Sequence, residues 1–411
     1  MYNIDKIRND FPMLKDKTMQ NKPLVFLDNA STTFKPYSVI KAMNEYYEDY
    51  TSNSHRGDYD LCYKVDTKIS EVREKVAKFV NSEINEVIFT SGDTESINLI
   101  AYTYALDNLS KGDVILLSES EHASNVLPWY KVASLKGAEI KFVDLEDKRI
   151  TVDNVKKAFI DYKNIKIVSF AYVGNVLGYK IDAKEIAKVV HQNNAIFILD
   201  GAQSVPHIKT DFKELDCDFL TFSAHKMLGP TGVGCLIGKY ELLSSMSTFH
   251  LGGGMNVKFN NLGEFIPLDA PNKFEAGTLN IAGIIGLGAA IDYLNDIGLD
   301  NIHLHEVELK RYALDKLKDY KDIIIYNSDN DSGILAFNIK NIFAQDEATL
   351  LNSKGIAVRS GQHCAKMIDN VIDTIATVRA SFYLYTSKSD IDALVDNLIN
   401  GGDILDAYFF N

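Results

Sequence analysis

The run Phe219-Leu220-Thr221-Phe222-Ser223-Ala224-His225-Lys226-Met227-Leu228-Gly229-Pro230-Thr231-Gly232-Val233-Gly234 carries two signals. Its first four residues make an apolar segment of strand length. The rest is a glycine-punctuated turn that places Lys226 among apolar and glycine neighbours instead of on a charged face. Upstream, Ala195-Ile196-Phe197-Ile198-Leu199 is a second apolar run, and it ends in Asp200-Gly201-Ala202-Gln203. Further runs at 87–89, 114–117, 140–143 and 165–170 read the same way, with amphipathic stretches at 70–80, 95–108, 152–162 and 183–194 between most of them. Strands this apolar, separated by helix-length segments, predict a mainly parallel sheet covered on both faces, an α/β domain.

In open α/β sheets ligands gather beyond the carboxyl ends of the strands, so the polar groups following each run carry the functional argument. After 87–89 comes Thr90-Ser91-Gly92-Asp93-Thr94-Glu95, a small-residue turn leading into a helix. Such a turn offers free N–H groups to a phosphate, although an ordinary capped helix start looks the same. Asp200 at the mouth of a buried strand needs a partner or a cap. Lys226, if desolvated, is a carbonyl nucleophile; if it snorkels to water, it is not. Taken together, a phosphate turn, an acid for a pyridinium nitrogen and a lysine describe one cofactor, pyridoxal phosphate.

The chain has 411 residues, enough for two or three domains, and its 46% apolar and 24% charged composition excludes a disordered or collagen-like chain. Lys and Arg number 43 against 56 Asp and Glu, a formal charge of −13 that argues against a nucleic-acid partner. Four cysteines, at 62, 217, 235 and 364, form no Cys-x-x-Cys pair, so neither a disulfide framework nor a metal site is expected. The amino terminus lacks a signal-peptide layout and no run of ~18 uncharged apolar residues occurs, which predicts a soluble, cytoplasmic protein with no membrane partner. From about 298 the pattern changes to a polar helix (300–319), Ile-Ile-Ile-Tyr, Ile-Leu-Ala-Phe-Asn-Ile, another helix, a short strand at Ile356-Ala357-Val358-Arg359 and a last helix at about 388–400. That end reads as a smaller α+β domain.

The segment 200–234 resembles the lysine region of the class V aminotransferases. Ser54-His55-Arg56-Gly57, Glu121-His122, Gly174-Asn175-Val176-Leu177-Gly178, Phe274-Glu275-Ala276-Gly277-Thr278, Arg359-Ser360-Gly361-Gln362-His363-Cys364 and Arg379-Ala380-Ser381 narrow this to a similarity with SufS-type (group II) cysteine desulfurases over residues 20–400. The resemblance implies a fold-type I (aspartate aminotransferase-like) enzyme, with residues 20–297 as the cofactor domain. Residues 1–19 and 298–411 would form the small domain bearing Cys364 and Arg379. It implies Lys226 as the covalent anchor and proton carrier, Asp200 on the pyridine nitrogen, Gln203 on the phenolic oxygen and His122 stacked on the ring. Thr94, Ser223, His225 and the Asp93 N–H would hold the phosphate. Thr278 would reach the phosphate of the neighbouring subunit of a homodimer. Arg379, assisted by Asn175, would bind the substrate carboxylate, with Arg359, His55 and Arg56 lining the same pocket.

Cys364 would take sulfur from L-cysteine, leaving L-alanine, and pass the persulfide to an acceptor for iron–sulfur cluster assembly. Cationic neighbours activate a thiol, and His363 and Arg359 are the ones close in sequence. L-selenocysteine as substrate, or another class V activity, remains open. Three departures stand out. Asp93 occupies a position where relatives usually have Thr, and its carboxylate would repel a phosphate unless it turned away to cap the helix. Gln362 and Lys366-Met367 change the cysteine loop, predicting a more mobile and more cationic segment. Gln345-Asp346 replaces the His-Asp of relatives that serve a zinc-containing scaffold, which favours a SufE-like acceptor.

Overall fold

A computed structural model describes residues 2–54 and 57–402. The six apolar runs form strands β1 (Val87–Thr90), β2 (Val114–Leu117), β3 (Glu139–Phe142), β4 (Ile165–Ala171), β5 (Ile196–Asp200) and β6 (Phe219–Ser223). A seventh strand, β7 (Gly234–Gly238), escaped the sequence reading. The sheet order is β1-β7-β6-β5-β4-β2-β3. Strand β7 runs antiparallel to both neighbours, while every other pairing is parallel.

The strand pleat explains why these runs are apolar at successive positions. Val87, Phe89, Leu116, Phe170, Leu199 and Phe222 enter one core, and Ile88, Ile115, Ile167, Ile198, Phe219 and Leu236 enter the other. Along the central strands neither face meets water, so neither parity is polar, whereas the edge strand β3 is partly exposed and carries Glu139 and Lys141. The first core is closed by helices α1 (Asp60–Val80), α4 (Ala183–Gln192) and α5 (Ile281–Ile297), and the second by α2 (Asp93–Ile100) and α3 (Leu127–Lys136). The predicted helix over 95–108 is α2 continued by a π-turn at Ala101–Ala105 and a last turn at Leu106–Asn108. Among the described residues no single helix is long and apolar enough to cross a membrane.

The carboxyl-terminal third builds an antiparallel sheet from β8 (Ile323–Ile325), β9 (Ile334–Ile339), β10 (Arg359–Gly361) and β11 (Thr377–Ser381), ordered β8-β9-β11-β10. Leu309, Ala313 and Leu317 of α6 (Leu299–Leu317) and Ile391, Leu394 and Leu398 of α8 (Lys388–Asn400) bury its other side in a third core. The run at 356–359 is split. Ile356–Ala357 pairs in parallel with Val25–Phe26, and Arg359 opens β10. Asp28 then bridges to Ser381, so the amino-terminal residues after Lys22 run along the second sheet and reach Arg379. A small fourth cluster, Val176, Leu177, Ala336, Ala365, Ile368 and Ile372, lies beneath the cysteine turn.

Candidate active site

Strand β7 assembles the phosphate turn. Gly234 pairs with Thr90 on one side and Ser223 on the other, which draws the turns after β1 and β6 together. A Cβ at position 234 would sit 2.5 Å from Gly92 Cα and 2.7 Å from the Phe222 carbonyl oxygen, so only glycine allows this approach. At the junction the Asp93 N–H donates to Ser223 Oγ at 2.8 Å. One strand over, Asp200 Oδ1 takes the Ala202 N–H at 2.9 Å. Lys226 ends a short 3-10 turn after β6. The carbonyl of His225 just before it accepts the Thr33 N–H at 3.0 Å and Lys35 Nζ at 3.1 Å.

Of the residues singled out in the sequence, Asp93, Thr94, His122, Asn175, Asp200, Gln203, Ser223, His225, Lys226, Arg359 and Arg379 line one cavity. Gln203 is fixed by donating to the Ala30 carbonyl at 2.7 Å, and Thr94 Oγ1 lies 2.7 Å from Ser124 Oγ. Cys364 stands at the edge, half-buried, with Arg359 Nη2 at 2.9 Å from its sulfur. Thr278 is exposed and outside this cavity. His55 and Arg56 lie outside the described residues.

The electrostatics separate two kinds of cation. Burial, with Lys226, Arg359 and Arg379 nearby, lowers His122 to about 4, and burial beside Lys226 and Lys35 lowers His225 to about 4. Both imidazoles are therefore neutral at pH 7, whereas the guanidinium of Arg359 carries permanent charge. Lys226 is itself pulled down by burial, against the opposing pull of Asp200 and Asp93. A lysine with a lowered value is more readily a free amine.

His363 corrects an expectation. It is not a cationic neighbour of Cys364: burial, with Arg379 and Arg359 close by, lowers it to about 3, and its Nε2 lies 2.8 Å from Thr377 Oγ1. It instead helps shape the turn. His363 and Cys364 both have left-handed φ, +53° and +61°, and Asn175 Nδ2 donates to the His363 carbonyl at 2.8 Å. The Ala123 N–H holds the Cys364 carbonyl at 2.7 Å and the Ala365 N–H reaches the Gln362 carbonyl at 2.8 Å. Ala365 and Ile368 are buried beneath, so the Gln362 and Lys366-Met367 departures sit on an anchored turn.

Sequence reasoning missed Ser31. Its hydroxyl accepts from Arg359 Nη1 at 2.9 Å and Arg379 Nη2 at 3.0 Å, and donates to Asp28 Oδ1 at 2.8 Å. One small side chain thus joins the guanidinium facing Cys364 to the one buried deeper in the cavity. The rule that flagged Asp200, polar residues directly after an apolar strand, applies equally to Asp28-Asn29-Ala30-Ser31 after Val25-Phe26-Leu27.

Among the described residues five buried side-chain polar atoms have no hydrogen-bond partner: Arg149 Nε, and, on residues of this site or next to it, Asp93 Oδ1, Thr221 Oγ1, His363 Nδ1 and Arg379 Nε. Buried groups are seldom left so unless a ligand completes them. An acid, a lysine, the start of a helix and an arginine line one cavity, a donor set that fits pyridoxal phosphate.

A family model for class-V aminotransferases matches residues 25–394. The chain belongs to that family. It is 45% identical over 398 residues to a Halalkalibacterium halodurans protein named "Probable cysteine desulfurase", covering 96% of this chain and 97% of that one. The crystal structure of the Escherichia coli cysteine desulfurase CsdA superposes with a TM-score of 0.90 at 35% identity, covering 98% of each chain. The apo structure of a cysteine desulfurase from Thermococcus onnurineus gives 0.91 at 32% identity, covering 97% of this chain and 98% of that one. The architecture is that of the fold-type I pyridoxal-phosphate enzymes.

Proposed function

We propose that this class-V enzyme is a pyridoxal-phosphate-dependent cysteine desulfurase of the SufS type, converting L-cysteine to L-alanine and carrying the sulfur on Cys364. The observation that carries this reading is the placement of Cys364. It is the one cysteine that is not buried, its sulfur faces Arg359, and Arg359 lines the same cavity as Lys226, Asp200 and Arg379. Pyridoxal phosphate, when bound, supplies the electron sink that takes up charge from the substrate Cα. The chain supplies everything else. Lys226 anchors the cofactor and, as a free amine, moves the proton at Cα. Asp200 holds the pyridine nitrogen, Gln203 the phenolic oxygen, and Asp93 N–H, Thr94, Ser223 and His225 the phosphate. Arg379, with Asn175, binds the substrate carboxylate, and Arg359 lies between that site and the thiol. His122 is neutral, so it can stack on the ring without adding charge.

The Cys364 sulfur attacks the sulfur of the substrate. A sulfur–sulfur bond forms, the substrate carbon–sulfur bond breaks with its electron pair remaining on carbon, and protonation there gives alanine. In this reading residues 20–297 form the cofactor unit, apart from Val25–Asp28, which join the second sheet, and residues 1–19 with 298–411 the unit bearing Cys364. The enzyme works in the cytoplasm as a homodimer in which Thr278 completes the neighbour's phosphate site. Exposed Leu251, Phe259 and Leu262, on the segments preceding Thr278, support such a contact. Gln345, exposed near the start of α7 (Ala344–Ser353), offers no imidazole for a metal-dependent handover, which favours a SufE-like thiol acceptor serving iron–sulfur cluster assembly.

The test is mass spectrometry of the protein after incubation with L-cysteine. Wild type gains one sulfur on Cys364, and Cys364→Ala neither gains it nor releases alanine at the wild-type rate in the presence of a thiol acceptor. Equal alanine release by the two proteins would overturn the assignment.

A further inference from the structure

Asp93 is the one acid in the phosphate turn whose side chain faces the cavity, and it does not behave as a helix cap. The N-cap position of α2 is Gly92, and Asp93 is the first helical residue, 6% exposed. Its backbone N–H is taken by Ser223 Oγ, but its carboxyl Oδ1 has no partner. The Thr221 hydroxyl faces it, yet Thr221 Oγ1 also completes no hydrogen bond of proper geometry. The charged groups around it are Asp200 at the end of β5 and Lys226 after β6, with Glu121, following β2, feeling its charge at longer range. His122 lines the same cavity and is neutral above about 4.

Two carboxyls sharing one buried space with a single lysine cannot both ionise cheaply. Burial first, and Asp200 second, push Asp93 up to about 7, with Thr221 and Lys226 opposing. Asp200 is also raised, by burial, although Lys226 and the Ala202 N–H pull it back. Of the two, Asp93 is thus the carboxyl more strongly biased towards its protonated form. Protonated, Asp93 is a neutral donor beside the positive end of α2. Ionised, it places a charge where the helix start must accept a phosphate.

Resting on the cofactor reading above, we propose that the Asp93 side chain is a proton-dependent part of the cofactor seat, so that the chain holds the phosphate of pyridoxal phosphate when Asp93 is protonated and releases it when Asp93 ionises. The sign follows from linkage. A phosphate dianion beside the carboxyl raises its value further in the loaded protein. Affinity is then full below about 7 and falls as pH rises above it, by up to tenfold per pH unit until the loaded-state value is reached. Glu121, raised to about 8 by burial, titrates in the same window, so the comparison must be with a variant that differs at residue 93 alone.

The experiment uses the full-length apoprotein and pyridoxamine 5′-phosphate, which has no aldehyde and so cannot bond covalently to Lys226. Calorimetric titration between pH 6 and pH 9 compares wild type with Asp93→Asn and Asp93→Thr, each checked for native circular dichroism. The expected result is that wild-type Kd rises between pH 7 and pH 9 by about tenfold or more beyond the rise in either variant. At pH 8, paired buffers of different ionisation enthalpy should show wild type taking up more protons on binding than Asp93→Asn does. A ratio of Kd values that is flat with pH overturns the role of Asp93 while leaving the cofactor reading intact. Failure of wild type to bind the probe at any pH overturns both.

Discussion

Glu275→Ala should cost the large unit about 3–5 kcal/mol, because it strands a buried charge. Arg73 on α1 grips Glu275 with two parallel bonds, Nη1 to Oε1 at 2.8 Å and Nη2 to Oε2 at 2.7 Å. The same Nη1 donates to the Val87 carbonyl at 2.6 Å, and the guanidinium lies 4.6 Å from the centre of the Phe89 ring. Glu275 Oε1 also accepts the Phe89 N–H at 2.8 Å. The two side chains are only 11% and 5% exposed, so water cannot replace the lost partner. Of the total, about 1–3 kcal/mol belongs to the orphaned Phe89 N–H, and the remainder to the uncompensated cation. Removing both charges, Arg73→Met with Glu275→Leu, keeps the first cost and abolishes the second, so the double variant should be about 2 kcal/mol more stable than Glu275→Ala. Urea unfolding read by the fluorescence of Trp129, the single tryptophan, buried on the opposite face of the sheet, measures both. A loss below about 1 kcal/mol in Glu275→Ala, or a double variant no more stable than the single one, would refute the reasoning.

Two further outcomes follow from the same geometry. Gly234→Ala drives a methyl group into Gly92 at 2.5 Å, and should weaken pyridoxamine phosphate binding at least tenfold through displacement of the phosphate turn, a result checked by calorimetry on folded variant. Iodoacetamide under native conditions should modify Cys364 before Cys62, Cys217 and Cys235, since all three are buried and burial pushes the thiols of Cys217 and Cys235 up; peptide mapping of the first alkylated site decides it.

What could be read from the sequence was whatever one strand and its next few residues contain. Asp200 ends β5 and Lys226 follows β6 by one 3-10 turn, so periodicity located them without any knowledge of packing. Strand β7 was not legible because Gly234-Cys235-Leu236-Ile237-Gly238 is short, begins and ends in glycine and inserts antiparallel into a sheet whose other runs announce parallel pairing. Ser31 was hidden for a different reason. Its arginine partners lie 328 and 348 residues away, and only the pairing of Val25–Phe26 with Ile356–Ala357 brings them within reach. His363 looked cationic beside Cys364 because sequence proximity says nothing about burial. The left-handed turn points its carbonyl at Asn175 and its ring at Thr377, away from solvent.

The chain's charge of −13 hides a cavity that is polarised along its length. Asp93, Asp200 and, behind them, Glu121 gather around Lys226 at the carboxyl ends of the large sheet. Arg359 and Arg379 come from the second sheet, where they pair with each other across β10 and β11 and share Ser31. A pyridinium needs the first environment and an amino-acid carboxylate the second, and a chain that builds them on separate sheets can hold both without letting the acids neutralise the arginines. Asp28 is the exception, 3.1 Å from Arg379 Nη2, and it is carried by the amino-terminal segment that runs along the second sheet. Its carboxylate accepts one guanidinium N–H. If Arg379 binds the substrate carboxylate as proposed, that group displaces an existing partner instead of meeting a bare cation, with the unpartnered Arg379 Nε as a second donor.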